Sequence, residues 1–365
     1  VATLMSEKFL RFAKKASKLY NKRGIKGLCR SAITKIRLVC LPIIYKSHFL
    51  AKFYHPKLQT AFLELTNNCN LRCKMCIWQP REKTGFISKA LFESCVDQLS
   101  ELELGALNLE FAGESLLHPD FKNLLTYAVR KRNDGKIKSV GWTDNGMLFN
   151  QSIADLVVDL EVDWINISLD GVGEVNDNIR LGSNYSVIEK NIKYLLMKRG
   201  SAEKPKVLLN IVDHGKTEEQ KLEFYREWVH LVDEIELIPS ILPNNTCEIK
   251  NNFPLGVKVA PPPAFCHIPL DTIVICWDGK VTGCCFDSKI SMVLGDATKE
   301  SIKQIWQGSK FQDLRKALLT KTVPVGSPCY YCEFWKVNFE PKDELILNGK
   351  AKIEYDGTII KIRKV

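Results

Sequence analysis

Three cysteines stand in one short run: Cys69, Cys73 and Cys76, in Cys-Asn-Leu-Arg-Cys-Lys-Met-Cys. Iron–sulfur clusters are held by cysteine thiolates, most often four. A cubane held by only three protein thiolates keeps one iron open to a small molecule. No fourth cysteine follows within the run, and Cys95 falls on an expected helix. Tetrahedral zinc is the competing chemistry, because Cys-x2-Cys pairs suit it. Zinc sites usually combine two such pairs, whereas this triplet has a gap of three and then a gap of two.

The spacing resembles the CxxxCxxC signature of the radical SAM enzymes. The resemblance implies that the open iron is chelated by the amino and carboxylate groups of S-adenosylmethionine. One electron from the cluster then cleaves the sulfonium to a 5′-deoxyadenosyl radical. The family usually has an aromatic residue before the last cysteine, packed near the adenine; Met75 stands there. A thioether makes comparable apolar and sulfur–π contacts.

Two further runs resemble family motifs. Asn108-Leu-Glu-Phe-Ala-Gly-Glu114 is similar to the Gly-Gly-Glu motif, with Ala112 for the first glycine. The resemblance implies that Ala112, Gly113 and Glu114 set backbone groups and a carboxylate beside the methionyl ammonium. Ile167-Ser168-Leu169-Asp170-Gly171, with Arg180 twelve residues after Ser168, is similar to a Ser-x-Asp-Gly…Arg pattern of SPASM-type relatives. It implies a cofactor site of Ser168, Asp170 and Arg180, with Ser168 near the ribose or carboxylate and Arg180 on the carboxylate. A guanidinium suits that task because its donors engage two oxygens. Thr143-Asp144-Asn145-Gly146 is similar to the family's Thr-Asn-Gly turn.

A second cysteine set follows Pro261-Pro-Pro263: Cys266, Cys284, Cys329 and Cys332. It resembles the SPASM/twitch extension that carries auxiliary 4Fe–4S clusters. No cysteine follows Cys332, so the expectation is one auxiliary cluster with four cysteine ligands, hence two 4Fe–4S clusters in all. Cys285 is the alternative to Cys284, and the offset from Gly279 favours Cys284. Cys276 reads as a buried thiol. A structural zinc ribbon is the competing reading of these four cysteines.

These residues must be positioned by a scaffold. Strand patterns occur at 61–66, 106–112, 139–143, 164–170, 206–212 and 234–239, and helical patterns at about 88–102, 120–132, 151–160, 184–198 and 218–232. Such alternation implies an α/β protein with a parallel sheet and helical crossovers. Six units imply a partial (β/α)6 TIM-like barrel, with chemistry at the C-terminal strand ends. The expected division is a basic helical arm (1–58), the barrel (59–245), a small iron–sulfur domain (261–340) and a C-terminal tail (341–365).

Charge is segregated. The chain carries 52 Lys+Arg against 42 Asp+Glu, for a net +10, yet residues 1–57 hold fourteen Lys/Arg and one acidic residue, Glu7. The catalytic body is therefore slightly acidic, which argues against nucleic acid as a partner. Residues 6–21 place Phe9, Phe12, Ala13, Ala16, Leu19 and Tyr20 at helical spacing, with basic residues on the other face. Such a segment fits an anionic membrane surface. No apolar run long enough to span a bilayer and no signal-peptide pattern is found. Thirteen cysteines in knuckle-like groups fit cluster chemistry in a reducing compartment. The expected localisation is cytoplasmic, peripheral to the membrane.

The expected function is a radical SAM oxidoreductase. The auxiliary cluster would accept the second electron from a substrate radical, as in dehydrogenation of a sugar- or cyclitol-like alcohol. A peptide-modifying maturase is the alternative, and a non-catalytic zinc scaffold is a third reading. A flavodoxin- or ferredoxin-type donor would supply the electron. No residue stands out as the substrate base. If the basic arm meets a membrane, the intact chain should bind anionic vesicles and release them as salt rises. A chain lacking residues 1–52 should not bind, yet should still form 5′-deoxyadenosine under reductant. Loss of clusters on truncation would instead make the arm part of the catalytic fold.

Overall fold

The computed structural model describes residues 56–77, 83–213, 216–239, 259–260, 265–332, 338–339, 346–347, 351–356 and 359–364. The chain divides into two compact units, 1–55 with 316–322 and 56–315 with 323–365. The expected arm lies outside the described residues except for 56–58. Everything below concerns the second unit.

Strands β1 (Thr60–Leu63), β2 (Arg72–Cys73), β3 (Ala106–Asn108), β4 (Val140–Asp144), β5 (Trp164–Ser168), β6 (Arg180–Leu181), β7 (Lys206–Asp213) and β8 (Glu234–Pro239) alternate with helices. The helices are α1 (Lys89–Glu101), α2 (Phe121–Asn133), α3 (Gln151–Asp159), α4 (Glu174–Ile179), α5 (Tyr185–Arg199) and α6 (Glu218–Trp228). Strands β1, β3, β4, β5, β7 and β8 are the six expected ones. They pair in parallel, in chain order, as a partial barrel requires.

Local chemistry explains the helix starts. Ser88, Asn150 and Asn184 each accept a backbone N–H from the first turn, and Thr217 forms a full capping box with Gln220. Such caps satisfy donors that the helix leaves unpaired. In α1 the buried residues Phe92, Cys95, Val96 and Leu99 fall on one face. Cys95 is thus a core residue, and burial pushes its thiol up to about 12.

The sheet does not stop where the expected barrel does. A ribbon forms between β9 (Val259–Ala260) and β13 (Asn338–Phe339). Strand β10 (Thr272–Ile275) pairs in parallel with β1, and β11 (Lys280–Thr282) and β12 (Gly295–Asp296) follow antiparallel. On the other edge, β16 (Ile359–Lys364) lies antiparallel on β8, followed by β15 (Ala351–Asp356) and β14 (Ile346–Leu347). The result is one twelve-stranded sheet. The stretches expected as an iron–sulfur domain and a tail both contribute strands to it.

The segment after β12 is pinned by one cation. Arg315, on the helix Ser309–Thr320, is fully buried. Its Nε donates to Pro269 O at 2.8 Å and its Nη1 to Trp306 O at 2.9 Å. The guanidinium stacks 4.0 Å from the Trp306 ring centroid, a geometry that suits arginine. Trp306 Nε1 in turn donates to Pro56 O at 2.8 Å, beside the first barrel strand. Arg315→Ala strands two buried carbonyls and removes the stacked guanidinium. It should cost about 3 kcal/mol or more, read as a lowered urea midpoint.

Candidate functional site

The cysteine run is a loop strapped from both sides. Thr66 Oγ1 donates to Gly85 O at 2.6 Å. Asn67 gives Nδ2–H to Lys83 O at 2.7 Å and takes Gly85 N–H on Oδ1 at 2.9 Å. Further on, β2 pairs antiparallel with β6, setting Cys73 opposite Arg180 and Arg72 opposite Leu181. Lys74 N–H continues the contact to Ile179 O at 2.9 Å. The loop is thereby held by a ribbon whose other strand carries a predicted cofactor residue.

A cavity of about 310 Å³ opens beside the loop. Its walls include Cys69, Cys73, Cys76, Met75, Ala112, Gly113, Glu114, Ser168 and Arg180. Residues predicted from four separate stretches of sequence thus meet around one space. Asp170 does not line the cavity; it is buried behind Arg180. Burial pushes the Cys69 and Cys73 thiols above their ordinary range.

Gly113 is fixed by close approach. A Cβ there would sit 2.3 Å from Thr66 O and 2.4 Å from Asn68 O, so only glycine lets the loop after β3 lie against the cysteine loop. Glu114 N–H donates to Asn68 O at 2.7 Å. Its carboxylate accepts Leu116 N–H at 3.2 Å and Asn145 N–H at 2.9 Å. Asn145 Nδ2 donates to Asn70 Oδ1 at 2.8 Å. The Thr-Asp-Asn-Gly turn therefore touches both the carboxylate and the cysteine loop. Burial, and then Asp144, push the Glu114 carboxyl well above the usual carboxylate range. Asp144 is raised mainly by burial, opposed by Trp142 Nε1–H and Gly146 N–H.

Asp170 is the hub of the opposite wall. Its Oδ2 lies 2.7 Å from Arg180 Nη2. Its Oδ1 lies 3.1 Å from Lys216 Nζ and accepts Val212 N–H at 2.8 Å. The side chains of Asp170 and Lys216 are fully buried. Burial lowers the Lys216 ammonium from its ordinary range, against the pull of Asp170. Arg180 Nη1 also reaches within 4.0 Å of Cys73 Sγ. Lys216 was not found from sequence. Its only signal is a lysine just before the Thr217 cap, which any solvated helix start could show.

The second cysteine set also converges. Burial pushes Cys266 well up and Cys329 up to about 12, and each feels the charge of Cys284 and Cys332. Cys284 Sγ accepts Phe286 N–H at 3.3 Å. The adjacent Cys285 thiol holds Cys284 below its ordinary range, and Cys285 itself is pushed well above. Asp287 shapes this turn by accepting from Thr282 Oγ1, Ser291 N–H and Met292 N–H. Phe286 also lines the cavity beside the first cysteine loop. Cys276 is buried in the core. Among the described residues, no three His, Cys, Asp or Glu side chains are grouped as a single-ion site.

A partly buried three-thiol loop beside a cavity, and a gathered second set of thiols, fit iron–sulfur clusters in donor chemistry. Residues 63–227 match the sequence model of the radical SAM superfamily, and residues 266–333 match a SPASM iron–sulfur cluster-binding domain. The chain belongs to the radical SAM superfamily and carries a SPASM-type domain. Its cofactors are S-adenosylmethionine and two 4Fe–4S clusters.

Among curated relatives, the pre-heme d1 synthase of Dinoroseobacter shibae is 29% identical over 145 residues, covering 37% of this chain and 34% of that protein. The chain thus spans about a third of that relative's length. The S-adenosyl-L-methionine-dependent 2-deoxy-scyllo-inosamine dehydrogenase of Niallia circulans is 23% identical over 288 residues, covering 78% of this chain and 96% of that protein. Among solved structures, Streptococcus suis SuiB bound to its precursor peptide SuiA superposes with a TM-score of 0.61 at 14% identity. That match covers 87% of this chain and 76% of SuiB. It shows the shared fold. No helix among the described residues is long and apolar enough to cross a membrane.

Asp170→Asn would leave Arg180 and Lys216 facing a neutral amide. Breaking a buried pair in this way should cost about 3–5 kcal/mol, read as a lowered melting temperature. Binding of S-adenosylmethionine, measured by equilibrium dialysis, should weaken roughly tenfold as Arg180 loses its orientation. Wild-type values for both would show that Asp170 does not hold this wall.

Proposed function

We propose that this chain is a radical SAM oxidoreductase that dehydrogenates an alcohol on a small sugar- or cyclitol-like molecule. The observation that carries the reading is the extent of the match to the 2-deoxy-scyllo-inosamine dehydrogenase. It spans 78% of this chain and nearly all of that relative, so it includes more than the barrel. The second cysteine set, Cys266, Cys284, Cys329 and Cys332, offers the four thiols that one auxiliary cluster needs.

When bound, S-adenosylmethionine and the first cluster supply a 5′-deoxyadenosyl radical. Cys69, Cys73 and Cys76 would hold three irons of that cluster. The raised thiol pKa values of Cys69 and Cys73 mean that loading must displace protons there. Glu114 and the Ala112–Gly113 backbone would receive the methionyl ammonium, whose charge favours an ionised Glu114. Arg180, braced by Asp170, would receive the carboxylate. Ser168 and Met75 would flank the rest of the cofactor. Cys266, Cys284, Cys329 and Cys332 would hold the auxiliary cluster. The Phe286 N–H donated to the Cys284 sulfur supports Cys284 over Cys285. A flavodoxin- or ferredoxin-type protein would deliver the electron.

A peptide substrate is the second reading, favoured by the fold shared with SuiB, whose structure holds a precursor peptide. The two separate in one experiment. Under anaerobic reductant, 2-deoxy-scyllo-inosamine and other polyols deuterated at carbinol carbons should pass label into 5′-deoxyadenosine. Label from deuterated peptides and none from polyols would replace alcohol oxidation with peptide modification.

A further inference from the structure

Below the cofactor wall the barrel interior is polar. Thr143 pairs with Asn166, Ser168 with Asn210, and Asn210 with Glu236 across β4, β5, β7 and β8. Neighbours in parallel register share a face, and residues two apart on a strand do too. Thr143, Ser168, Val212 and Ile238 all line the cavity, so Asn166, Asn210 and Glu236 lie on the same inward face, one pleat deeper. All three are at least nine-tenths buried.

Asn166 Nδ2 donates to Glu236 Oε2 at 2.8 Å. That bond fixes the amide orientation and leaves Asn166 Oδ1 as a buried acceptor without a partner. Buried polar atoms in native proteins are nearly always satisfied. Glu110, from the loop after β3, closes the ring. It lines the cavity, and its Oε2 is held from behind by Thr143 N–H. The cofactor shell uses Glu114 and Arg180 but has no task for Glu110.

We propose that Glu110 accepts the proton of the substrate's reacting hydroxyl, and that Asn166 Oδ1 accepts a neighbouring hydroxyl of the same polyol. This rests on the alcohol-oxidation reading. The carbinol hydrogen atom goes to the deoxyadenosyl radical, giving 5′-deoxyadenosine. The hydroxyl O–H breaks and its proton goes to the Glu110 carboxylate. The remaining electron passes to the auxiliary cluster, and the carbon is left as a ketone. Burial, with Glu236 and Asp144 nearby, pushes the Glu110 carboxyl up to about 7, against the Thr143 hydrogen bonds. A base with its pKa near the working pH is well matched to this task. The other charged groups around it are Glu114 in its own loop, Arg180 across the cavity, and the thiols of the cysteine loop.

The test uses the reconstituted full chain with the carbinol-deuterated polyol that labels 5′-deoxyadenosine best. Since the base acts unprotonated, wild-type ketone formation should rise with pH through about 7. Glu110→Gln should lower kcat on the order of a hundredfold or more and abolish that acid limb, at normal iron content. Glu110→Asp keeps a carboxylate and should restore the limb at reduced rate. Asn166→Ala should raise KM about tenfold with a smaller change in kcat. A Gln variant with wild-type rate and pH profile overturns the proposal, as does an Asp variant that behaves like Gln. Wild-type protein that takes no label from any polyol overturns the alcohol reading itself, and this inference with it.

Discussion

The buried carboxylate of Asp170 holds together the wall on which the site depends. It pairs with two cations, Arg180 and Lys216, that arrive from different stretches of the chain. Neither cation would be stable at that depth alone, because an unpaired buried charge costs several kcal/mol. Arg180 sits in β6, and β6 is the pairing partner of β2, where Cys73 lies. One ion triad therefore sets the position of a cysteine well over ninety residues away in sequence. Lys216 extends the same control to the start of α6, so the ends of β5 and β7 and the cysteine loop are fixed together.

The opposite wall is built without charge pairing. There the constraint is space. Gly113 lets two loop backbones touch, and the amides of Leu116 and Asn145 then grip the Glu114 carboxylate. The two walls differ in how they respond to a cofactor. The Asp170 wall is ion-paired beforehand. In the Glu114–Asp144 pair burial raises both carboxyls above their ordinary range, and the ammonium proposed to bind there would favour their ionised forms.

Much of this was legible in the sequence because it is local. Periodicity of two and of 3.6 located all six barrel strands and their main helices, and caps such as Ser88 and Thr217 mark where helices begin. Cysteine spacing and the glycine-bearing strand ends located the cavity. Strand ends were read too long: β1 stops at Leu63 and β3 at Asn108, because the residues beyond leave the ladder to form the loops of the site. What was not legible is non-local. The two-residue β2–β6 ribbon is too short to have a pattern. Lys216 looks like any lysine until Asp170 is brought to it. Glu110 stood in a quoted motif, yet only its burial in the folded barrel, with Glu236 and Asp144 nearby, raises its carboxyl. The placement of β10 beside β1 is a matter of topology, which composition does not encode.

That last pairing bears on how such a protein can be assembled over evolutionary time. Strand β10 covers the β1 edge of the parallel sheet along its whole length, from Thr60 to Leu63. A barrel gene that lost the following segment would expose a hydrophobic edge strand, which templates aggregation. A cluster domain joined by a loose tether could be lost or exchanged at little cost. One that supplies a strand to the catalytic sheet cannot. Removing the second cysteine set together with β10 would therefore uncover the β1 edge, so the segment that carries those thiols also closes one side of the catalytic sheet.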